Sequence, residues 1–132
     1  MKVLALDYGS ARTGVAISDA SGTLATPLTT VERVGSEAGM AALLAIVERE
    51  RPGLIVVGLP RTPSGRRGSQ AGASTAFAGR LRARVEMPVE LEDERYTTTI
   101  AARTGRSAKT GVDARAAAVL LQEVLDRRAG RC

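Results

Sequence analysis

One uninterrupted apolar run restricts the folds that this chain can adopt. The run occupies residues 54–60, Leu-Ile-Val-Val-Gly-Leu-Pro, and it lacks the alternation of polar and apolar residues that marks a half-exposed strand. A short strand that is apolar on both faces is typical of the centre of a parallel sheet covered by helices. We therefore expect an α/β fold in which residues 54–60 lie parallel to an earlier strand.

The other strand patterns predict a single mixed sheet. Residues 3–19 predict a strand, a glycine-bounded turn and a returning strand. Residues 24–31 predict a third strand, and Pro27 within it indicates an edge position or a bulge. Residues 88–92 alternate in polarity and predict the last strand.

Apolar residues at helical spacing predict the helices. Ser36 is the expected N-cap of the first helix, which Pro52-Gly53 ends. The second helix has an i, i+4 stripe formed by Ala73, Phe77, Leu81 and Val85. A short helix is expected over residues 99–103 and a basic loop over 105–111, before a last helix that begins near Asp113. The buried stripe of that last helix is expected to be Ala116, Ala117, Leu120, Leu121, Val124 and Leu125.

The predicted order of elements is therefore β-β-β-α-β-α-β-α-α. It indicates a five-stranded mixed sheet whose first three strands are antiparallel, with helices on both faces. We expect a single domain over residues 1–132, which is long enough to bury one core. The sequence has no apolar run of bilayer-spanning length, so a membrane is not an expected partner.

Composition excludes several kinds of catalytic site. The sequence contains no histidine, which excludes Ser-His-Asp triads and histidine-ligated zinc. Its single cysteine is Cys132, so neither an intramolecular disulfide nor a cysteine zinc site can form, and a cytoplasmic location is expected. Aromatic residues make up only 2% of the chain, which disfavours base stacking as a main binding mode. The chemistry that remains is that of carboxylates, hydroxyls, arginine and lysine.

Positive charge is concentrated in one segment. The formal net charge is +5, and residues 61–84 contain six arginines and no acidic residue. These arginines are Arg61, Arg66, Arg67, Arg80, Arg82 and Arg84. Such a local field favours a polyanionic partner such as nucleic acid, because arginine patches neutralise phosphates. The alternative is a solvated helix face and a basic loop that bind nothing.

Acidic residues stand where the predicted secondary structure changes. Asp7 ends the first strand, Asp93 and Glu94 end the last strand, and Asp113 opens the last helix. If these ends converge, the carboxylates would repel one another unless they bind a cation or raise their pKa values. Each acid also has an ordinary alternative: Asp7 in a turn, Glu94 in a surface ion pair and Asp113 as an N-cap.

A ligand set made only of oxygen atoms predicts Mg²⁺ or Mn²⁺ as the metal. One or two such ions would activate water and stabilise the leaving oxygen of a phosphodiester. The position of the acids at the ends of elements, in a chain with a local arginine field, favours a shared metal site over separate ordinary roles.

Four motifs, in this order along the chain, resemble the signatures of the YqgF/RuvX family. They are Asp7-Tyr-Gly-Ser-Ala-Arg-Thr-Gly-Val-Ala, Val57-Gly-Leu-Pro, Asp93-Glu-Arg-Tyr-Thr-Thr and Val112-Asp-Ala-Arg-Ala-Ala-Ala. The resemblance implies a ribonuclease-H-like fold and a relationship to RuvC-type Holliday junction resolvases. It also implies a metal-dependent nuclease that processes the 5′ end of the precursor of small-subunit (16S) ribosomal RNA.

The resemblance also assigns site residues. Its acidic site falls on Asp7, on the pair Asp93 and Glu94, and on Asp113. Asp7, Glu94 and Asp113 are assigned as metal ligands, while the choice between Glu94 and Asp93 stays open because successive residues of a strand face opposite ways. Contacts to nucleic acid are expected from basic residues of the motifs and loops, namely Arg12, Arg61, Arg66, Arg67, Arg95 and Lys109.

Other functions fit parts of the sequence. A Holliday junction resolvase-like DNA nuclease would use the same acids, and since resolvases usually act as symmetric dimers, both a monomer and a homodimer are open. A non-catalytic ribosome assembly factor would bind nucleic acid without needing those acids. A nucleotide-binding protein of the actin-like ATPase type would explain the loop after Asp7, but such proteins need two copies of this domain. The sequence does not separate RNA from DNA as the substrate.

Overall fold

Five strands form one sheet in the computed structural model, which describes residues 1–9, 11–59, 68–93 and 110–130. The strands are β1 (Val3–Asp7), β2 (Arg12–Ser18), β3 (Ala25–Glu32), β4 (Leu54–Leu59) and β5 (Val89–Asp93). Their order across the sheet is β3-β2-β1-β4-β5. The first three strands are antiparallel, and β4 is parallel to both β1 and β5. The predicted mixed sheet and the parallel, internal position of the apolar run are both confirmed.

Three helices cover the two faces of this sheet. They are α1 (Glu37–Glu50), α2 (Gly68–Arg82) and α3 (Thr110–Arg128). Leu4 and Leu6 of β1 point into a core formed with α1 and α2, which contribute Leu43 and Phe77 among others. The alternate residues Val3 and Ala5 point into a second core formed with α3. The predicted arrangement of helices on both faces is therefore confirmed, and β1 is buried on both sides.

The ends of α1 follow the sequence signals. Ser36 is the N-cap, and its Oγ accepts a hydrogen bond from the Gly39 amide at 3.0 Å. After Glu50 the backbone turns left-handed at Arg51, with φ 52°, and its N–H donates to the Val47 carbonyl. The helix thus ends immediately before Pro52-Gly53, as predicted.

Both edges of the sheet carry local protection. The edge strand β3 contains Pro27, and its pairing with β2 shifts register between Val15 and Ala16, so the expected edge position and the expected bulge are both present. On the other edge, the guanidinium of Arg82 donates from Nε and Nη2 to the Val89 carbonyl, at 3.0 and 2.8 Å. The neighbouring Pro88 carbonyl accepts from Ile55 of β4, so the Val89 carbonyl faces away from the sheet.

Two predictions about the helices are wrong in detail. In α2, Ala73 is exposed while Ser74, Phe77, Ala78 and Leu81 are buried, because the helix follows i, i+3, i+4 spacing rather than a strict four-residue repeat. Val85 lies beyond the end of α2 at Arg82. The last helix begins at Thr110 rather than near Asp113, so the end of the predicted basic loop is helical. The expected short helix over 99–103 lies outside the described residues.

The buried stripe of α3 agrees with the sequence prediction. All six expected residues are at most 7% exposed: Ala116, Ala117, Leu120, Leu121, Val124 and Leu125. Among the helices in the described ranges, none combines the length and the apolar character needed to span a membrane.

Asp19 organises the turn between β2 and β3. Its Oδ1 accepts hydrogen bonds from the amides of Thr23 and Leu24 at 2.8 and 3.1 Å, and its Oδ2 accepts one from the Ser21 hydroxyl. The two amide donors are the main reason that the pKa of Asp19 is lowered from 3.8 to about 2. The charged carboxylate therefore stabilises the folded state wherever it stays ionised.

We expect Asp19→Ala to lower the thermal midpoint by a few degrees at pH 7. Since the folded pKa is the lower one, the stabilisation is complete above about pH 4 and is lost as the pH falls towards 2. The stability difference between wild type and Asp19→Ala should therefore close over that interval in thermal melts. Glu86→Ala, which removes an exposed acid elsewhere, is the control. A difference that stayed constant from pH 7 to pH 2 would contradict this role of Asp19.

Candidate functional site

The C-terminal ends of the parallel strands β1, β4 and β5 lie together and form one edge of the sheet, which is distinct from its two edge strands. The ladder pairs Asp7 of β1 with Gly58 of β4, Gly58 with Glu92 of β5, and Leu59 with Asp93. Asp7 and Asp93 therefore lie at the same edge, with β4 between their strands. Two strand spacings of ~4.8 Å separate β1 from β5, so the backbones of Asp7 and Asp93 are roughly 10 Å apart.

Asp7 lies on the α3 side of the sheet. Along β1, Val3 and Ala5 pack against α3 while Leu4 and Leu6 pack against α1 and α2. Alternation places Asp7 with Val3 and Ala5, and its side chain is half-buried. Tyr8 then returns to the opposite side, where its ring stacks on Phe77 with centroids 5.1 Å apart. Buried neighbours on both faces thus fix where the Asp7 carboxylate can stand.

Short-range contacts hold the turn that joins β1 to β2. The Thr13 hydroxyl donates to the Gly9 carbonyl at 3.3 Å, and its oxygen lies 3.4 Å from the Gly9 amide. Gly9 also approaches the Arg12 carbonyl so closely that a side chain at position 9 would collide with it. Arg12, a predicted nucleic-acid contact, opens β2 at the same edge as Asp7 and is half-buried.

β5 places Glu90 and Glu92 on the α3 face of the sheet. Val89 and Leu91 pack against the α1–α2 core, whereas Glu92 and Glu90 form ion pairs with Arg127 and Arg128 of α3, at 2.9 and 3.6 Å. Glu92 is a further acid in the register row of Asp7, which the sequence did not single out. Its pairing with Arg127 gives it a structural partner. Alternation along β5 assigns a face to Glu92 only when the face on which the Val89 side chain lies is known, and the sequence alone does not give that face.

Asp113 is the fourth residue of α3 and not its N-cap. The N-cap alternative for this acid is therefore wrong, because the helix already begins at Thr110. Position 113 precedes Ala117 by four residues and Leu120 by seven, and both of these pack on the sheet. The backbone of residue 113 is thus on the helical face that α3 turns towards β1.

The remaining predicted site residues lie outside the described part of the chain. They are Glu94, Arg95, Arg61, Arg66, Arg67 and Lys109. Within the residues that the structure describes, no three acidic or cysteine side chains are grouped closely enough to hold a metal ion. The structure thus brings Asp7, Asp93 and Arg12 to one edge of the sheet and puts position 113 on the facing side of α3.

Comparison with known proteins identifies the family. The model of the family described as RuvX, Holliday junction resolvase, matches residues 1–127. The chain belongs to the RuvX family. The family predicted from the four motifs is therefore confirmed.

Relatives of this RuvX-family chain match over nearly its whole length. A protein from Nocardioides sp. is 47% identical, covering 93% of this chain and 86% of the relative. One from Moorella thermoacetica is 42% identical and covers 96% of both chains. One from Chloroflexus aurantiacus is 40% identical, covering 96% and 87%. All three are named, on a provisional basis, as pre-16S rRNA nucleases.

Solved structures confirm the fold of the RuvX-family chain. Thermus thermophilus RuvC superimposes with a TM-score of 0.62 at 16% identity, over 98% of this chain and 97% of that one. The fowlpox virus resolvase, solved with Holliday junction DNA, gives a TM-score of 0.52 at 9% identity, over 95% and 99%. The predicted ribonuclease-H-like α/β fold is therefore confirmed.

We expect Gly9→Ala to lower both stability and activity. The new Cβ would meet the Arg12 carbonyl, so the segment that follows Asp7 must move, at a cost of about 1–3 kcal/mol. Gly79→Ala is the matched control, because a Cβ there meets nothing within 4 Å and an exposed α2 position should gain about 0.5–1 kcal/mol. Chemical denaturation would measure the change in the free energy of unfolding for each of the two variants. Equal effects of the two variants would show that the close approach at Gly9 is unimportant.

Proposed function

We propose that this RuvX-family nuclease hydrolyses phosphodiester bonds with a carboxylate site formed by Asp7, Glu94 and Asp113. The observation that carries the proposal is the placement of Asp7. This half-buried acid ends a strand that is buried on both faces, at the edge where three parallel strands end. Position 113 is on the α3 face that packs over the same strand. Such an edge is where α/β sheets commonly bind ligands.

The donor set fits a hard divalent cation. Without histidine, and with one cysteine at position 132, the acids offer only oxygen ligands, which Mg²⁺ and Mn²⁺ prefer. We propose that Asp7, Asp113 and Glu94 hold one or two such ions. When bound, the metal would lower the pKa of a coordinated water and stabilise the charge on the leaving oxygen.

The protein's own contribution is to position the acids and the substrate. Packing of Val3, Ala5 and Tyr8 holds the end of β1, so Asp7 needs little reorganisation before the reaction. Arg12 opens β2 at the same edge, where a phosphate of the substrate would meet it. We propose that Arg61, Arg66, Arg67, Arg95 and Lys109 add further phosphate contacts, which orient the backbone without reading its sequence.

The names of the relatives favour a ribosomal RNA precursor as the substrate. Chains 40–47% identical to this one are named pre-16S rRNA nucleases. The family description favours a second candidate, a four-way DNA junction. These substrates would use the same acids, so the polymer is decided by cleavage assays rather than by the chemistry of the site.

We expect Asp7→Asn to abolish cleavage while largely preserving binding, because it removes a charged ligand but keeps the shape of the side chain. Labelled single-stranded RNA, single-stranded DNA and a four-way junction would each be incubated with Mg²⁺, Mn²⁺ or EDTA. Asp19→Asn, at the opposite edge of the sheet, is the control and should cleave normally. Cleavage that persists in Asp7→Asn or in EDTA would overturn the proposed site. Loss of binding together with cleavage would count against a ligand role.

Strand alternation predicts a difference between the two acids at the end of β5. Glu90 and Glu92 are on the α3 side together with Asp7, while Val89 and Leu91 are on the other side. A strand that kept this alternation for one more residue would have Glu94, rather than Asp93, on the side of Asp7, and we propose Glu94 as the ligand on this ground. We therefore expect Glu94→Gln to reduce kcat at least 100-fold and Asp93→Asn less than 10-fold in the same assay. The reverse order would make Asp93 the ligand.

A further inference from the structure

Arg33, in the loop between β3 and α1, stands in an unfavourable backbone conformation. Its φ is 47°, in the left-handed region where glycine is favoured and residues with a side chain are uncommon. Three contacts hold it there. Its amide donates to the Ala11 carbonyl at 2.9 Å, and its carbonyl accepts from the Ser36 amide and hydroxyl at 2.8 and 2.7 Å. These contacts fix the backbone of Arg33, and with it the point from which its side chain extends.

This loop belongs to the edge of the sheet that carries Asp7. The ladder pairs Glu32 with Arg12, so Arg33 lies opposite Ala11, beside the segment that joins β1 to β2. Strand spacing and rise per residue place the Cα atoms of Arg33 and Asp7 roughly 14 Å apart. That distance corresponds to a few nucleotides of an extended strand that runs out of the site.

A second arginine reaches the same loop from α2. A Cβ built on Gly35 would lie 3.5 Å from Nη2 of Arg80, so this guanidinium rests against the loop backbone. Within the described residues neither Arg33 nor Arg80 forms an ion pair, although Glu32 and Glu37 flank the loop. By contrast, the exposed residues Arg49, Arg127 and Arg128 are ion-paired. Among the residues that the structure describes, none therefore takes up the guanidinium donors of these two arginines in an ion pair.

We propose that Arg33 and Arg80 form an accessory phosphate-binding pair that holds the nucleic-acid backbone beside the site. The inference rests on the proposed function, since its occupant is the substrate of that site. A guanidinium offers two parallel donors to a phosphate, and this matches the partner better than a point charge would. Glu32 and Glu37 reduce the positive electrostatic potential around the loop. Arg33 and Arg80 would therefore act by direct contact with a phosphate rather than by attraction at a distance. The pair lies on the α1–α2 side of the sheet, whereas Asp7 is on the α3 side, so a nucleic-acid strand that leaves the site would contact it after crossing the end of the sheet.

The left-handed backbone allows the side chain to be removed without destabilising the fold. Arg33→Gly eliminates the guanidinium and relieves the strained φ, so its thermal midpoint should equal or exceed that of wild type. Arg51→Gly is a matched control: Arg51 has φ 52°, is exposed and has no ion pair within the described part of the chain. It precedes β4, at the opposite edge of the sheet. Both variants lose one charge and one strained residue, and they differ only in position.

Binding of a labelled 20-nucleotide single-stranded RNA and of a duplex, each to protein carrying Asp7→Asn, would be measured at several salt concentrations. We expect Arg33→Gly and Arg80→Gln each to weaken binding about three- to tenfold and to reduce the slope of log K against log salt by about 0.7–0.9. With cleaving protein, KM should rise while kcat stays within twofold. Arg51→Gly should bind as the wild type does.

If Arg33→Gly and Arg51→Gly weakened nucleic-acid binding equally, the effect would come from the loss of net charge alone, and the proposal would be overturned. Unchanged binding in Arg33→Gly and Arg80→Gln would also overturn it. Neither result contradicts the proposed carboxylate site, provided that Asp7→Asn still abolishes cleavage. Conversely, cleavage that survives Asp7→Asn removes the proposed site whatever the arginine variants show, so the two failures can be told apart.

Discussion

Burial of β1 on both faces is the constraint on which the rest of the structure depends. Leu4 and Leu6 fill the core beneath α1 and α2, while Val3 and Ala5 fill the core beneath α3. β1 therefore joins the two cores, together with its parallel neighbour β4, whose Ile55 and Val56 also face opposite cores. Any slip of β1 by one residue would exchange these two sets of side chains and turn Asp7 away from α3. The same packing that stabilises the sheet thus determines where its terminal carboxylate stands.

Most of the architecture was predictable from the sequence, because its signals are strong and local. The apolar run ending at Leu59 could only be internal, Pro27 could only lie at an edge or a bulge, and Ser36 had the geometry of an N-cap. The four motifs identified the family, which the comparison confirmed. The acids were recognised as a set because they stand at ends of elements, and the shared edge of Asp7 and Asp93 follows from parallel pairing.

Details that depend on rotation and register were not predictable. The α2 stripe was misplaced at Ala73 because a four-residue repeat drifts around a helix, and only packing shows that Ser74 faces inwards. Asp113 was expected at a helix start, where caps are common, but helix formation extends back to Thr110. The arginine cluster also divided unexpectedly: Arg82 binds a strand carbonyl, whereas Arg80 reaches a distant loop. Spacing in the sequence cannot distinguish these two roles.

The protected edges restrict how this molecule can associate. A sheet grows most easily when an exposed strand offers unpaired amides and carbonyls to a neighbour. Here Pro27 and the register shift interrupt one border, and the Arg82 guanidinium occupies an outward carbonyl on the other. Continuous strand-to-strand joining of two copies, and the fibrous growth it could start, is therefore disfavoured.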